Sequence, residues 1–508
     1  MASRRDQLNA YTFAKRRMLA AFLQSSPDGS EEGAPRPLRS ILPGIIVGVI
    51  VIAVFGAWGM FKPTAPKGWN TPNAKVIIAS DSTTRYVVLK TGTQVQLHPV
   101  LNMASAKLLL NEGKGEVVTV AESVLDNGKI PHGVTIGIPY APDRLPSASE
   151  AGSDKRWVVC ERPSAGGESI QKAALVLASR DMKATEDKGE KLAGGQLLYV
   201  ADPNGNRYVV DAGGRAYPID KTDELLLRAV VGSGREPQKV SKEWLATLHT
   251  GDAISFPEIP DQPGTAAGAP GQLDETTNRV GMVLKASDLN SDQYYVVLPG
   301  RVAPISAFVA QLLLFSEDLA TLGQAGHAKE MSPGAIVPGK AFGTEEVWPT
   351  EDPQPVNDAS GVAGSRSTVC NVLRGVNGDS GATTLSTWAG TDFPAKLPTG
   401  SSSAYVTPGS GQLYRQFQGK ETKAGPVFLV TDTGLRYVLQ SNADSGTDDA
   451  GIGTTAKERE QAQQEAEQAQ TRLGYKDVDP APVPAAWSEF LPTGPRLSTT
   501  AARQPQGS

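Results

Sequence analysis

The sequence predicts an α+β protein in which one membrane-spanning helix is followed by four small α/β modules around a separate β-rich core. Three observations carry this reading. An uninterrupted apolar run lies near the start, a hairpin pattern recurs four times after it, and two cysteines sit in β-prone stretches between the hairpins.

The apolar run is Ile41–Phe61, ILPGIIVGVIVIAVFGAWGMF, with no charged or amide side chain. Its length at 1.5 Å per residue is about 32 Å of helix, close to the roughly 30 Å of bilayer hydrocarbon. Arg39 and Lys62 bound it, and a continuous helix pairs every backbone polar group that lipid cannot. A buried core helix would be interrupted by polar residues. A cleaved signal peptide would carry a shorter apolar stretch and a small-residue cleavage site, whereas this run ends Trp58-Gly59-Met60-Phe61. It reads as an uncleaved anchor. Arg4, Arg5, Lys15, Arg16, Arg17, Arg36 and Arg39 precede it, and basic flanks stay in the cytoplasm. Residues 1–40 are therefore expected inside, 41–61 in the membrane, and the bulk in the extracytoplasmic space.

Residues 1–23 read as a basic amphipathic helix. Leu8, Tyr11, Ala14, Met18 and Phe22 recur at helical spacing, with Arg4, Arg5, Lys15, Arg16 and Arg17 beside them. These five cations are the candidate docking residues for a partner or the anionic inner leaflet; the alternative is a solvated topology signal. Residues 25–37 read as a Pro/Gly/acidic linker and 62–75 as a stalk.

The hairpin copies are VIIASDSTTRYVVL (Val76–Leu89), LLYVADPNGNRYVV (Leu197–Val210), MVLKASDLNSDQYYVVL (Met282–Leu298) and VFLVTDTGLRYVLQ (Val427–Gln440). Each has an apolar strand, an Asp-led turn and an aromatic, β-branched return strand. Turn-forming Asp and core Tyr account for the Asp–Tyr pairs better than a binding site does. Helices are expected from Pro99, Pro218 and Pro304, because proline suits a first helical turn. Pro-rich tails follow at 138–146, 259–264 and 491–498. The polar helix 456–473 reads as a solvated surface, with an inter-subunit contact as the alternative. The expected divisions are repeat 1 (76–146), core (147–196), repeat 2 (197–264), repeat 3 (265–322), core (323–425), repeat 4 (426–498) and a disordered tail (499–508).

The net charge is -5, with seven basic and four acidic side chains in the first 40 residues. The remainder is acidic, which argues against nucleic acid. The 53 glycines and 37 prolines favour turns over a helical bundle. Cys160 and Cys370 each end a β-prone run and are expected outside, where disulfides persist. One bond between them would close a long loop and stabilise by a few kcal/mol; two buried thiols are the alternative. The four histidines and two distant cysteines give no zinc spacing, and no G-x-S-x-G elbow occurs.

Gly334 to Lys340 matches G-x-x-x-x-G-K, the pattern of an ATP-binding loop, but Ala341 follows where Ser or Thr would bind Mg²⁺. No strand-to-helix context surrounds it. Gly334, Gly339 and Lys340 are the weak nucleotide candidates, and an ordinary Gly/Pro loop is the favoured reading. No other cofactor is expected.

The start SRRDQLNAYTFAKRRMLAAFL, the single span, the W-x-V-C segment at Trp157–Cys160, the second distant cysteine, the four hairpins and the LPTGPRLS ending together resemble EccB. This is a core component of type VII (ESX) secretion in high-GC Gram-positive bacteria. The resemblance implies a single-pass inner-membrane subunit of a hexameric complex with EccC (an FtsK/SpoIIIE-type motor ATPase), EccD and EccE. It also implies an elongated extracytoplasmic part, pairing of Cys160 with Cys370, and repeat modules similar to a phage-lysin wall-binding fold, suited to contact with peptidoglycan or neighbouring copies. Some members are labelled ATPases, which the defective loop does not support. Three functions are thus in view: a scaffold of a secretion channel, an extracytoplasmic ATP hydrolase, and a peptidoglycan-binding anchor.

Overall fold

A computed structural model of the chain describes residues 3–23, 38–61, 65–91, 94–164, 169–186, 189–287, 292–360, 362, 364–397, 403–439 and 468–506. The expected linker 25–37, the turn at Asp288 and residues 456–467 of the polar helix lie outside them. Two compact units emerge, one of residues 1–69 with 79–81 and 119–129, the other of the remaining chain.

The first unit holds two long helices, Arg4–Leu23 and Leu38–Phe61. The second of these contains the span Ile41–Trp58, wholly unburied by protein. Pro43 falls in its first turns, where the missing donor costs little.

The second unit is built from β-sheets. The first sheet has strands β1 (Lys75–Ala79), β2 (Arg85–Thr91), β3 (Gln94–Val100) and β4 (Glu116–Val120), in the order β3-β2-β1-β4. Strands β5 (Arg156–Pro163) and β6 (Ile170–Leu177) begin the core. The second module has β7 (Gln196–Ala201), β8 (Arg207–Val210), β9 (Arg215–Ile219), β10 (Gln238–Lys239) and β11 (His249–Thr250). The third has β12 (Val283–Ser287), β13 (Asp292–Leu298), β14 (Arg301–Ile305) and β15 (Lys329–Met331). After β16 (Gln354–Pro355), the core is completed by β17 (Thr368–Val376), β18 (Thr383–Gly390) and β19 (Ala404–Val406). The fourth module has β20 (Gly411–Phe417), β21 (Val427–Thr431), β22 (Arg436–Leu439) and β23 (Ala481–Pro484).

Modules two to four share one plan. Three antiparallel strands form a meander, and a fourth returns parallel to the first: β10 beside β7, β15 beside β12, β23 beside β20. Runs of apolar and β-branched residues suit strands such as β7, β21 and β22 that are buried on both faces. In the fourth module the hairpin seen in the sequence is β21–β22, the second hairpin, because β20 comes first. Both hairpins of a meander carry the same apolar–turn–aromatic pattern, so the pattern alone cannot rank them. Module four therefore starts at Gly411, inside the stretch read as core.

The helices start later than expected. Pro99, Pro218 and Pro304 lie in the third strands, paired with Tyr86, Tyr208 and Tyr295. The helices begin after side-chain caps at Asn102, Asp223 and Ser306, which accept from the N–H of Ser105, Leu226 and Val309. Proline is tolerated at these positions because its carbonyl, and so its missing N–H, faces away from the second strand and breaks no bond of the meander, while capping fixes where a helix can begin.

The core sheet runs β18-β17-β5-β6-β19. One face joins modules two and four through Trp157, Val159, Val200, Trp244, Tyr414 and Phe428. Trp157 meets Tyr414 edge-on at 5.0 Å, and Tyr414 stacks on Phe428 at 5.5 Å. Modules one and four share another cluster containing Val76, Leu108, Leu413, Leu429 and Tyr475. Modules two and three meet where Phe308 and Leu312 pack among Leu226, Ala229 and Val230. The pairing is thus one with four and two with three.

The tail read as disordered from 499 is instead ordered over its described part. A short helix, Thr499–Ala502, is capped by Ser498 and buries Ala502 completely. Gln506 N–H then donates to Thr135 at 2.9 Å. Its small and polar residues hide this docking because one alanine methyl, one glutamine side chain and a few backbone bonds make the contacts.

Candidate functional site

The near-motif at Gly334–Lys340 is best understood through a fourfold repeat in backbone hydrogen bonds. Each third strand is flanked by a tail segment. The N–H groups of Gly133, Gly251, Gly339 and Gly494 donate to the carbonyls of Leu97, Ala216, Val302 and Arg436. Three residues on, Ile136, Ile254, Phe342 and Leu497 donate to Pro99, Pro218, Pro304 and Val438. The tail signature is therefore Gly-x-x-apolar, and Gly339-Lys340-Ala341-Phe342 is its third copy.

Close packing makes glycine necessary in three copies. A Cβ added at Gly133 would lie 2.2 Å from the His98 ring, at Gly251 2.3 Å from Tyr217, and at Gly494 2.4 Å from Tyr437. Gly339 faces a looser neighbourhood, where the nearest atom is 3.3 Å away. Two more amides of the loop are engaged: Ala335 N–H donates to Ser332 and Ile336 N–H to Pro333. A short 3₁₀ turn, Pro333–Ala335, takes up the start of the loop. A phosphate cradle needs several unengaged amides pointing at one anion at the start of a helix, and that arrangement is absent. Lys340 is exposed.

The turn aspartates divide by environment. Asp202 accepts from the N–H of Asn204 at 2.8 Å and Asn206 at 2.9 Å, an Asx turn as expected. Those bonds hold its carboxyl below the usual range although burial opposes them. At the first turn Ser82, not Asp81, accepts the Thr84 N–H. Asp432 instead accepts from Gly409 N–H at 2.8 Å, tying its turn to the preceding loop. Tyr437 is buried, while Tyr86, Tyr208 and Tyr294 are half-buried.

Cys160 and Cys370 are bonded to each other. They lie directly opposite in the β5–β17 ladder, both fully buried. The bond staples two neighbouring strands whose intervening chain holds modules two and three. Next to it, Glu161 points to the other face, also fully buried. Its carboxylate accepts from Ser241 N–H at 2.7 Å and from the Ser241 hydroxyl, with Lys172 Nζ at 3.9 Å. Burial raises its pKa and the Ser241 bonds partly oppose this. No sequence pattern marks this buried acid, which clamps the start of the helix Lys242–Leu245 to the core.

Arg4, Arg5, Lys15, Arg16 and Arg17, the candidates for docking, lie on the exposed helix Arg4–Leu23. Leu8, Tyr11, Met18 and Phe22 are exposed there too. The two classes are incompletely segregated. At 3.6 residues per turn, Lys15 falls seven positions from both Leu8 and Phe22 and shares their stripe.

No group of three or more His, Cys, Asp or Glu able to hold a metal occurs among the described residues. Two open surface clefts, of roughly 500 and 800 Å³, are lined mainly by Thr, Gly, Ser and Arg. The second also carries Glu236 and Asp358, and Asp358 accepts from Ser360 N–H at 2.7 Å.

These features define a class: a membrane-anchored repeat protein whose ordered body is a disulfide-stapled β core carrying βββαβ modules. The chain belongs to the family described as type VII secretion system ESX-1, transport TM domain B, which matches residues 1–507. It is 26% identical over 529 aligned residues to the ESX-3 secretion system ATPase EccB3 of Mycobacterium tuberculosis, covering 97% of this chain and 88% of that protein. It is 29% identical over 311 residues to the ESX-1 secretion system ATPase EccB1 of the same organism, covering 60% of each. Among solved structures, a chain of an intact ESX-5 inner membrane complex matches with TM-score 0.55 and 19% identity, covering 100% of this chain and 96% of that one. A chain of the EccB3 dimer from the ESX-3 core complex matches with TM-score 0.53 and 24% identity, over 84% and 99%. These likenesses show the fold.

Proposed function

We propose that this chain is a structural subunit of a type VII secretion complex in the inner membrane, working with motor and channel subunits to export proteins. The observation that carries the reading is the family match from residue 1 to 507 together with one apolar helix at Ile41–Trp58. The basic helix lies in the cytoplasm and docks on the membrane complex there. The disulfide-bonded body lies outside, where oxidising conditions keep the bond. Partners are EccC-type, EccD-type and EccE-type subunits and further copies of this chain, in a hexameric arrangement, with peptidoglycan as a further contact.

The chain is not proposed to hydrolyse ATP, although relatives carry that word in their names. Gly339 belongs to a tail repeated in modules that share no lysine at the next position, which is Val134, Asp252 and Pro495 in the other copies. The test is affinity purification of the tagged full chain from its own membranes. Co-purification of the motor ATPase, and ATP turnover that is unchanged by Lys340→Ala, are expected. Recovery of the chain alone, or turnover abolished by Lys340→Ala in the separated subunit, would overturn the proposal.

A further inference from the structure

The two faces of the core sheet are covered very differently. The face bearing Trp157 and Val159 is buried under modules two and four. The opposite face carries Val158, Cys160, Ala173, Leu175, Cys370, Val372 and Trp388. Among the described residues, the apolar groups packed on it are Phe393, Ala395, Leu397 and Tyr405. Tyr405 lies on β19, within the sheet. The other three belong to one irregular segment, 392–397, and are each only partly buried.

That segment is held at one end by Arg162 of β5. Its guanidinium donates to Asp392 at 2.7 Å and to Gln171 at 2.8 Å, and lies 4.3 Å from the centre of the Phe393 ring. The ion pair is exposed, with Asp392 79% accessible, and exposed pairs are weak. The sheet beneath is joined by continuous ladders on both sides of β5. Local opening takes the weakest unit first, so the segment lifts long before the sheet parts.

We propose that segment 392–397 is a strap, latched by Arg162, that controls access of thiol reductants to the Cys160–Cys370 bond. The chemistry is thiol–disulfide exchange with a dithiol. A reductant thiolate attacks one sulfur, forming a mixed disulfide and releasing the other cysteine as a thiolate, which takes up a proton. The second reductant thiol then attacks the mixed bond, freeing the first cysteine and leaving the reductant oxidised. Attack requires an approach to sulfur, and both cysteines are 0% exposed while the strap is down. The bond is therefore slow to reduce in the closed state and reducible once the strap lifts, with the β5–β17 ladder still intact.

The test uses the full chain in detergent with dithiothreitol, following released thiols by maleimide mass-tagging. Arg162→Gln and Asp392→Asn are expected to speed reduction about two- to fivefold, the range an exposed ion pair supplies, while lowering the folding equilibrium constant by no more than the same factor. Lys285→Gln, which removes a comparable surface ion pair with Asp292, should leave the rate unchanged. In the unaltered protein the rate should depend only shallowly on urea, because strap opening exposes little surface. Strap variants reduced at the unaltered rate, a control accelerated equally, or a urea slope equal to that of global unfolding would each overturn the proposal.

Discussion

Tyr217 and Tyr437 rest their rings against Gly251 and Gly494, closer than any Cβ allows. Alanine at either glycine is expected to lower unfolding free energy by about 1–3 kcal/mol, the usual cost of overpacking. Gly339→Ala should cost less, since its nearest neighbour, Arg301 Cβ at 3.3 Å, need give by only a few tenths of an ångström. Urea denaturation of the three variants checks the ranking; an equal cost at Gly339 would contradict it. Glu161 gives a second residue-scale prediction. Its folded pKa is raised, so its favourable contribution is full below the ordinary value of 4.5 and fades as pH rises above it. Glu161→Gln should be at least as stable as the unaltered protein at neutral pH and should flatten the pH dependence above 4.5, measured by denaturation across pH. The sequence showed neither residue's role, because a Gly-x-x-apolar tetrad is too short to see among 53 glycines. A buried Glu also reads like any surface one until its partner Ser241 is brought across the fold.

At the scale of elements, hairpins and the membrane helix were legible because each has a strict period or length. Helix starts were not. Proline pointed to Pro99, Pro218 and Pro304, while the caps Asn102, Asp223 and Ser306 determine the starts. Proline suits both a helix's first turn and an outer strand, so its presence cannot choose. The C-terminal helix Thr499–Ala502 went unseen for a related reason: four small residues have no periodicity to read. Ending the chain at Ser498 is expected to expose the Met103–Leu108 helix and make module one more sensitive to limited proteolysis. Unchanged cleavage kinetics would show that the docking contributes nothing. The Cys160–Cys370 bond closes a loop 210 residues apart in sequence. Replacing both cysteines by alanine should destabilise by several kcal/mol, roughly 2–5 for a native disulfide, and either single replacement should cost at least as much.

Across the whole molecule, the division into anchor, core and modules could be read from the sequence, and the order of packing could not. Repeats reveal kinship between modules, whereas which modules touch depends on apolar faces that all four present alike. The same limit applies to the near-motif, where a six-residue spacing matched a nucleotide loop that the fold uses as a strand-side tail. The proposed structural role rests on the family match and the single apolar span, and the tail repeat accounts for the near-motif without a nucleotide. That role depends on one physical arrangement, a basic segment and a disulfide-bonded body separated by a single crossing of the membrane. Reporter fusions at Ser25 and at Gly68 test this most directly. A cytoplasm-active reporter should signal only at Ser25 and an export-active reporter only at Gly68; both positions reporting the same side would contradict the account.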